Sequence, residues 1–512
     1  MTGGPRGRRL VGGVLVLAAG LLGLAAITGR APFLSRDGAA SALSAAGLPR
    51  DLPAHLDHLD VLELPGGVAD LGWLEPGLGG LSIDLVDAET LRRLPANLRS
   101  LEVRRSSSLP SLGGLPPGLQ RLSLAHSTLE ALGPLPDSLR ELSLSGVKDF
   151  EIRALPRGLE RLELRNTIVV DLRGSPAALD AVSLEGRGIT NLDGMPEGVR
   201  LLSLRYTYVS SLRPLPANLH ALELAGNPLL DPLADGDLPR FLVELGLEQQ
   251  NLSALKRLPV SLRRLRVSGC RRSECAAARA FLRALPSTLS HLEVVGVSLP
   301  DGSDGCWFPP GLSSLALEPG LRFDAACLPT SLKELSLTVA DAETVGALSL
   351  ALEKLAIIGP ADAGLGDLAT VPDGLRHLTL DHTLSDLQGL RDGAPALTTL
   401  RYRGSPLEAL PALPASLEVL DLSGSSSLRS LGPLGERNGA LRVLLVGGSQ
   451  IASLADVPAS VRELDISGTA IQKLEGLPHE LVKLTISRRR DQGGIESLRG
   501  LPRTVRHLSI VD

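Results

Sequence analysis

The residues of this 512-residue chain best suited to covalent or metal chemistry are few and scattered. Its four cysteines, Cys270, Cys275, Cys306 and Cys327, fall in one stretch. Cys270 and Cys275 share one loop. Cys306 and Cys327 stand at nearly the same phase of adjacent repeat units, so their Cα atoms can approach the roughly 4.4–6.8 Å that a disulfide needs. Two local disulfides, Cys270–Cys275 and Cys306–Cys327, are the expectation for an oxidising compartment, and small buried apolar side chains are the alternative. The cysteine spacing matches no usual zinc pattern. His55 and His58 lie beside Asp57 and Asp60, and His377 and His382 flank Asp381, but neither group has metal-ligand spacing. The loop from Asp301 to Gly305 (DGSDG) offers two carboxylates and lacks the other ligands of a calcium loop. There is no P-loop, no GxSxG elbow, no HExxH and no dinucleotide fingerprint. The sequence therefore predicts no enzyme, no cofactor and no metal.

The chemistry that remains is that of contact. A column of short polar residues recurs between paired leucines: Asp60, Ser82, Glu102, Ser123, Ser143, Glu163, Ser183, Ser203 and Glu223, then Asp421, Asp465, Thr485 and Ser509. Arg266 and Arg401 interrupt it. A ribbon of hydroxyls and carboxylates suits a polar or basic partner, and a solvated sheet face has the same composition. Binding hot spots favour Tyr, Trp and Arg. On that ground the candidate ligand contacts are Arg205, Tyr208, Arg266, Arg401 and Arg403, joined by Glu102, Glu163 and Glu223 from the column. Tyr402 falls on a core leucine position and is expected to be packed.

What must position these residues is a repeat. The unit LPxxLxxLxL begins at Leu94, Leu135, Leu155, Leu215, Leu328, Leu413 and Leu477, among others. Its first leucine after the LP pair recurs about 22 times between Leu56 and Val505, mostly 20 residues apart. Alternation in LxL sends both leucines to one face of a short strand and the residue between them to the other. Successive coils then pair their strands in parallel and stack their leucines into one core that no single unit could bury. Proline, with fixed φ and no N–H, suits the stretch before the strand. The predicted fold class is a leucine-rich repeat solenoid of about 22 coils of 20–27 residues, with a parallel β-sheet on the concave face. A 20-residue coil leaves no room for a full helix, so the convex side is expected to be extended or irregular. The unit from Leu262 is 27 residues long, and its extra segment has helical spacing at Cys275, Ala278 and Leu282.

On LPxxLxxLxL at a 20-residue period, over roughly residues 52 to 510, the chain resembles the bacterial LPX class of leucine-rich repeats. That class includes secreted effectors of the YopM type and ubiquitin ligases of the IpaH type. The resemblance implies a curved, twisted array whose stranded face binds protein. The class usually places Asn a few residues after the last strand leucine. Here Asn166 and Asn227 come close, while Ser127, Cys270, Ser425 and Thr469 occupy that column. The ligase members carry a catalytic domain after the repeats, and this chain stops at Asp512 within its last unit, so the ligase activity is not carried over.

Charge and termini set the partners. The net charge is -5 with both signs mixed throughout, which gives no basic stripe to neutralise phosphates and argues against nucleic acid. Arg6, Arg8 and Arg9 precede an uncharged run from Leu10 to Ile27, a Sec-type signal or a minimal spanning helix. Residues 1–30 are thus expected to be a signal peptide or anchor, 31–51 a linker with a capping helix, and 52–512 the repeat domain. The functional expectation is a non-enzymatic binding protein, held in the cell envelope by a single-pass anchor with its repeats outside the cytoplasm. A secreted form, including an effector-like scaffold acting on host or neighbouring cells, is the alternative. Partners are protein or polysaccharide, and an exposed edge strand in the last coil adds self-association.

Overall fold

The structure, a computed structural model, describes residues 61–63, 79–84, 307–317, 327–338, 351–358 and 372–381. With short gaps it also describes residues 91–269, 282–296, 387–487 and 495–511. Strands are numbered β1 to β24 in chain order.

Local chemistry builds each coil in two steps. In the LPxxL segment the leucine N–H donates back to the proline carbonyl three residues earlier, as from Leu98 to Pro95 and from Leu139 to Pro136, both 3.1 Å. That turn aims the chain into the strand. A serine just before the leucine then ties the turn to the previous coil: Ser138 Oγ donates to Leu119 O, Ser261 Oγ to Leu242 O and Ser416 Oγ to Leu397 O, each 2.7 Å. Most of the strands that follow alternate, with a second adjacent residue buried at Ala225, Ser268, Thr399 and Asp421. In β3 (Ser100–Arg104), Leu101 and Val103 are buried while Ser100, Glu102 and Arg104 are half-exposed.

Twenty-two of these strands form a single parallel sheet. The inward residues make one cluster running from Leu81 to Leu508, almost wholly Leu, Val and Ile, with Tyr402 fully buried among them. Tyr402 is therefore packed, as its column required. The opposite side of the coils is irregular. Among the described residues it holds one short second sheet, β5 (Leu129–Ala131) with β7 (Val147–Asp149), and three isolated bridges. The described α-helices, α1 (Leu390–Gly393) and α2 (Leu434–Arg437), are four residues each.

The sheet has no free edge. The first strand, β1 (Val61–Glu63), pairs in parallel with β2 (Gly80–Asp84) and also with the last strand, β24 (His507–Val511). Following the register from Val61 through every neighbour returns to Val61 with no residue offset. A sheet closed without offset has strands along the ring axis. With about 4.8 Å between strands, 22 of them make a ring roughly 34 Å across between facing backbones. The continuously hydrogen-bonded side has the shorter perimeter, so the strands line the inside and the sparsely bridged side lies outside.

Three expectations change. The last coil does not present an open edge, because β1 covers it, and the reason given for self-association falls away. The single-pass anchor is corrected too. No helix among the described residues is long and apolar enough to cross a membrane, and four-residue helices fall far short of the roughly 20 residues that a span needs. The run from Leu10 to Ile27, on which the anchor rested, lies outside the described residues, as do residues 31–51. Finally, the register places Glu63, not Asp60, opposite Ser82. The stretch LDVLEL contains the same LxxLxL spacing three residues later than LPAHLDHLDV does, and the sheet uses the later one.

Candidate functional site

Where the residue after a main-sheet strand is described, it turns the chain sharply away, and in thirteen coils or more its backbone adopts positive φ. Glycine fills this column at Gly146, Gly186, Gly226, Gly269, Gly404, Gly424, Gly448 and Gly468. Among the described residues, the five non-glycine residues with positive φ are Arg105, His126, Asn166, Tyr206 and Gln249, and every one sits in the same column. From Gly146 to Gly269 the two kinds alternate. The N–H at this position donates to a carbonyl of the next coil, 2.7 Å from Tyr206 to Ala225 and 2.9 Å from Gly226 to Glu248. A Cβ on Gly226 would stand 2.6 Å from the Tyr206 ring, so the tyrosine in that coil requires glycine in the next.

One residue further on lies a buried column of hydroxyls and amides. Thr207 N–H donates to Asn227 Oδ1 at 2.9 Å, and Asn227 Nδ2 donates to Leu204 O at 3.0 Å. Ser106 N–H donates to Ser127 Oγ at 3.0 Å, and Ser405 N–H to Ser425 Oγ at 3.1 Å. Ser425 and Thr207 are fully buried. Small hydroxyls thus do between coils what an asparagine ladder does, satisfying N–H groups that the turn leaves unpaired. Asn166 is not in this column. It holds the preceding positive-φ position, and Thr167 occupies the buried one.

The coil is a leucine-rich repeat.

That statement rests on the leucine-rich repeat's own sheet, core and ladder. No family model matches the chain, and no curated protein matches it. Among solved structures it is similar to YopM from Yersinia enterocolitica WA-314, at 23% identity over 81% of this chain and 88% of that one, with a TM-score of 0.32. It is also similar to CroV588, described as a novel circular LRR protein structure, at 16% identity over 94% and 91% of the two chains and a TM-score of 0.36. A third is TLR13 in its complex with ssRNA13, at 17% identity over 88% and 72%, with a TM-score of 0.48.

The inner wall of the leucine-rich repeat ring carries the candidate contacts, and most of them are bonded to one another. Ser82, Ser143 and Ser203 donate to Glu102, Glu163 and Glu223 of the following coils at 3.0, 2.7 and 3.1 Å. Arg165 in β8 (Arg161–Arg165) pairs with Glu163, and lies 3.8 Å from Glu185 in β9 (Ala181–Glu185). Arg205, at the end of β10 (Leu201–Arg205), lies 3.7 Å from both Glu223 in β11 (Ala221–Ala225) and Glu248 in β12 (Glu244–Glu248). Arg266 is 3.1 Å from Glu293, and Arg403 is 2.7 Å from Asp421. Asp421 is buried, contrary to its expected place on an exposed ribbon, because Ser423 wraps it with a backbone N–H and a hydroxyl. Arg401 is exposed in β19 (Thr399–Arg403), with no ion pair among the described residues. Such exposed pairs contribute about 0–1 kcal/mol each, so their effect is mainly to neutralise the wall.

Tyr208 is half-exposed, with the Arg187 guanidinium 5.8 Å from its ring centre. Three further exposed residues follow strands of the same or nearby coils and were not among the candidate contacts. Tyr206 is 46% exposed, Leu229 55% and Ile168 64%. These side chains stand at the ends of neighbouring coils, on the rim where β8 to β11 leave the wall. Their signal was present in the sequence. The chain has three tyrosines, and two of them are Tyr206 and Tyr208. Phe241 and Val260 form a second exposed apolar pair at the opposite ends of the strands, in the LPxxL turns of successive coils.

Two inner-wall histidines are perturbed. His291 opens β14 (His291–Val295), and its pKa is lowered, first by burial and then by the Arg264 charge. His377 opens β18 (His377–Asp381), and its pKa is lowered by burial, then by Lys354 and Arg401. Burial pushes Glu334 up, but its bond to Lys354 and that charge, with Ser314, hold it below the ordinary value. Among the described residues no cluster of His, Cys, Asp and Glu is arranged to hold a metal. Cys327 is disulfide-bonded. Cys270, Cys275 and Cys306 lie outside the described residues, as do Asp301 to Gly305.

Proposed function

We propose that this chain is a non-enzymatic protein-binding repeat that works outside the cytoplasm, with its contact surface on the rim formed by Ile168, Tyr206, Tyr208 and Leu229. The observation that carries the reading is Tyr206. A bulky residue at φ +53° is uncommon and costs on the order of 1 kcal/mol or more, where glycine would serve. The tyrosine is nonetheless held there with nearly half its surface in solvent, braced against Gly226. Tyr and Trp supply large contact area at low entropy cost, and they recur at the centres of protein interfaces. Arg187 and Arg205 at the same rim supply the planar cations that such centres also favour. The inner wall below offers polar complementarity. Most of its charges are already paired, so it suits a partner that matches shape and hydrogen bonding more than one that brings net charge. A disulfide at Cys327 supports secretion into an oxidising space.

A photo-crosslinking residue in place of Tyr206 or Tyr208, compared with one in place of Glu197 in an exposed turn, tests this reading. Protein adducts are expected at 206 and 208 in excess of those at 197. Equal labelling at all three positions would end it.

A further inference from the structure

The joint between β24 and β1 differs from every other joint in the ring. Sixteen residues, 64–79, link β1 to β2, and comparable links tether each later pair of coils. Between β1 and β24 stand 443 residues, 64–506, so no short connection holds that joint together. Its backbone pairing is nonetheless in full register. Val61 faces Gly80 on one side and His507 on the other, Leu62 faces Leu81 and Leu508, and Glu63 faces Ser82 and Ser509. Without β1, the edges of β2 and β24 would each present a row of unpaired N–H and C=O groups one strand-width apart. Unpaired parallel edges are templates for strand addition.

We propose that β2 and β24 form a docking slot for one parallel strand, and that its occupant is residues 61–63 of the same chain, acting as a clasp that closes the ring. The slot recognises backbone on both sides, and the zero register offset means that the clasp enters without twisting either neighbour. Closure by the chain's own strand keeps the protein a monomer. A strand supplied from outside is taken up only when the clasp is disabled.

Two measurements on the full chain test this. In the first, the register partners are replaced by cysteine, Val61→Cys with His507→Cys, and treated with a short bismaleimide in cells producing the protein. A control pair, Lys483→Cys with His507→Cys, spans the neighbouring joint between β23 (Lys483–Ser487) and β24. A 61–507 peptide link at monomer mass, formed to within about twofold of the 483–507 link, is the expected result. A 61–507 link found only in dimers, or absent while 483–507 forms, overturns the clasp. Failure of the 483–507 link overturns the sheet and the slot with it. In the second, a labelled peptide of residues 57–66 is added to the unmodified chain and to Leu62→Pro, whose proline removes a donor from the clasp. Saturable binding to Leu62→Pro, with binding to the unmodified chain at least tenfold weaker, is expected. Equal binding to both, or binding to neither, refutes the slot.

Discussion

Tyr206 and Gly226 form a matched pair, and the match is testable one residue at a time. Gly226→Ala adds a Cβ at φ +60° and drives it into the tyrosine ring. A loss of about 1–3 kcal/mol is expected in denaturant unfolding. Tyr206→Gly should remove the steric share of that loss and leave only the backbone share, so the double variant should be less damaged than the sum of its parts. Strict additivity would mean that the two residues do not bear on each other. Asn227→Ala makes a sharper case, because it strips the buried Thr207 N–H of its acceptor. It should cost about 1–3 kcal/mol, and Asn227→Ser should recover part of that, since serine serves the same column elsewhere. The two histidines set a pH dependence. Both His291 and His377 are lowered in the fold, so the unfolded chain takes up their protons first as pH falls. Stability is therefore complete above the unfolded pKa of about 6.5 and declines as the pH drops below it. Melting temperature measured between pH 7.5 and 5 should fall, and the double change to Gln should flatten that fall. Glu334 acts lower down. Its lowered pKa contributes stability that persists above its unfolded value and is lost as carboxylates protonate.

At the scale of the strand and turn, much was legible in advance. LxxLxL fixes which side chains are buried, because alternation in a strand leaves no other assignment for two leucines separated by one polar residue. LPxxL likewise specifies its own turn, closed by the N–H of Leu98 or Leu139 on a proline carbonyl. Tyr402 was placed in the core on its column alone. The candidate contacts were legible as positions on a wall and not as partners. Nothing in the spacing says that Ser143 will give its proton to Glu163, or that Arg205 will stand between two glutamates, since both depend on neighbours 18 to 43 residues away. Asp421 misled for a different reason, being buried by a local turn at Ser423 that the outward column does not encode. Of the rim, Tyr208 was named in advance as a hot-spot type, whereas Ile168 and Leu229 were not sought because the reading looked for Tyr, Trp and Arg. The seryl bridges give this scale its own prediction. Ser416→Ala removes a 2.7 Å bond to Leu397 O at the surface of the turn, and a modest loss of about 0.5–1.5 kcal/mol is expected in urea unfolding.

Closure belongs to the whole molecule, and no local pattern announces it, because whether two ends meet depends on the summed curvature of all the coils between them. An open solenoid is held at its ends by one neighbour where interior units have two, so its terminal repeats need caps and fray first. In the ring every strand has two neighbours. Hydrogen exchange should accordingly protect the amides of residues 507–509 as well as those of residues 483–485, and markedly faster exchange in the last strand would speak against closure. A full turn shared among 22 joints leaves about 16° for each. In an open spiral the number of units is free, and duplicating one merely lengthens the array. In a closed one it is an arithmetic constraint. Removing residues 181–200, one whole unit with its spacing intact, would ask each remaining joint to bend further or the loop to spring apart, so the penalty should far exceed the loss of one unit's packing.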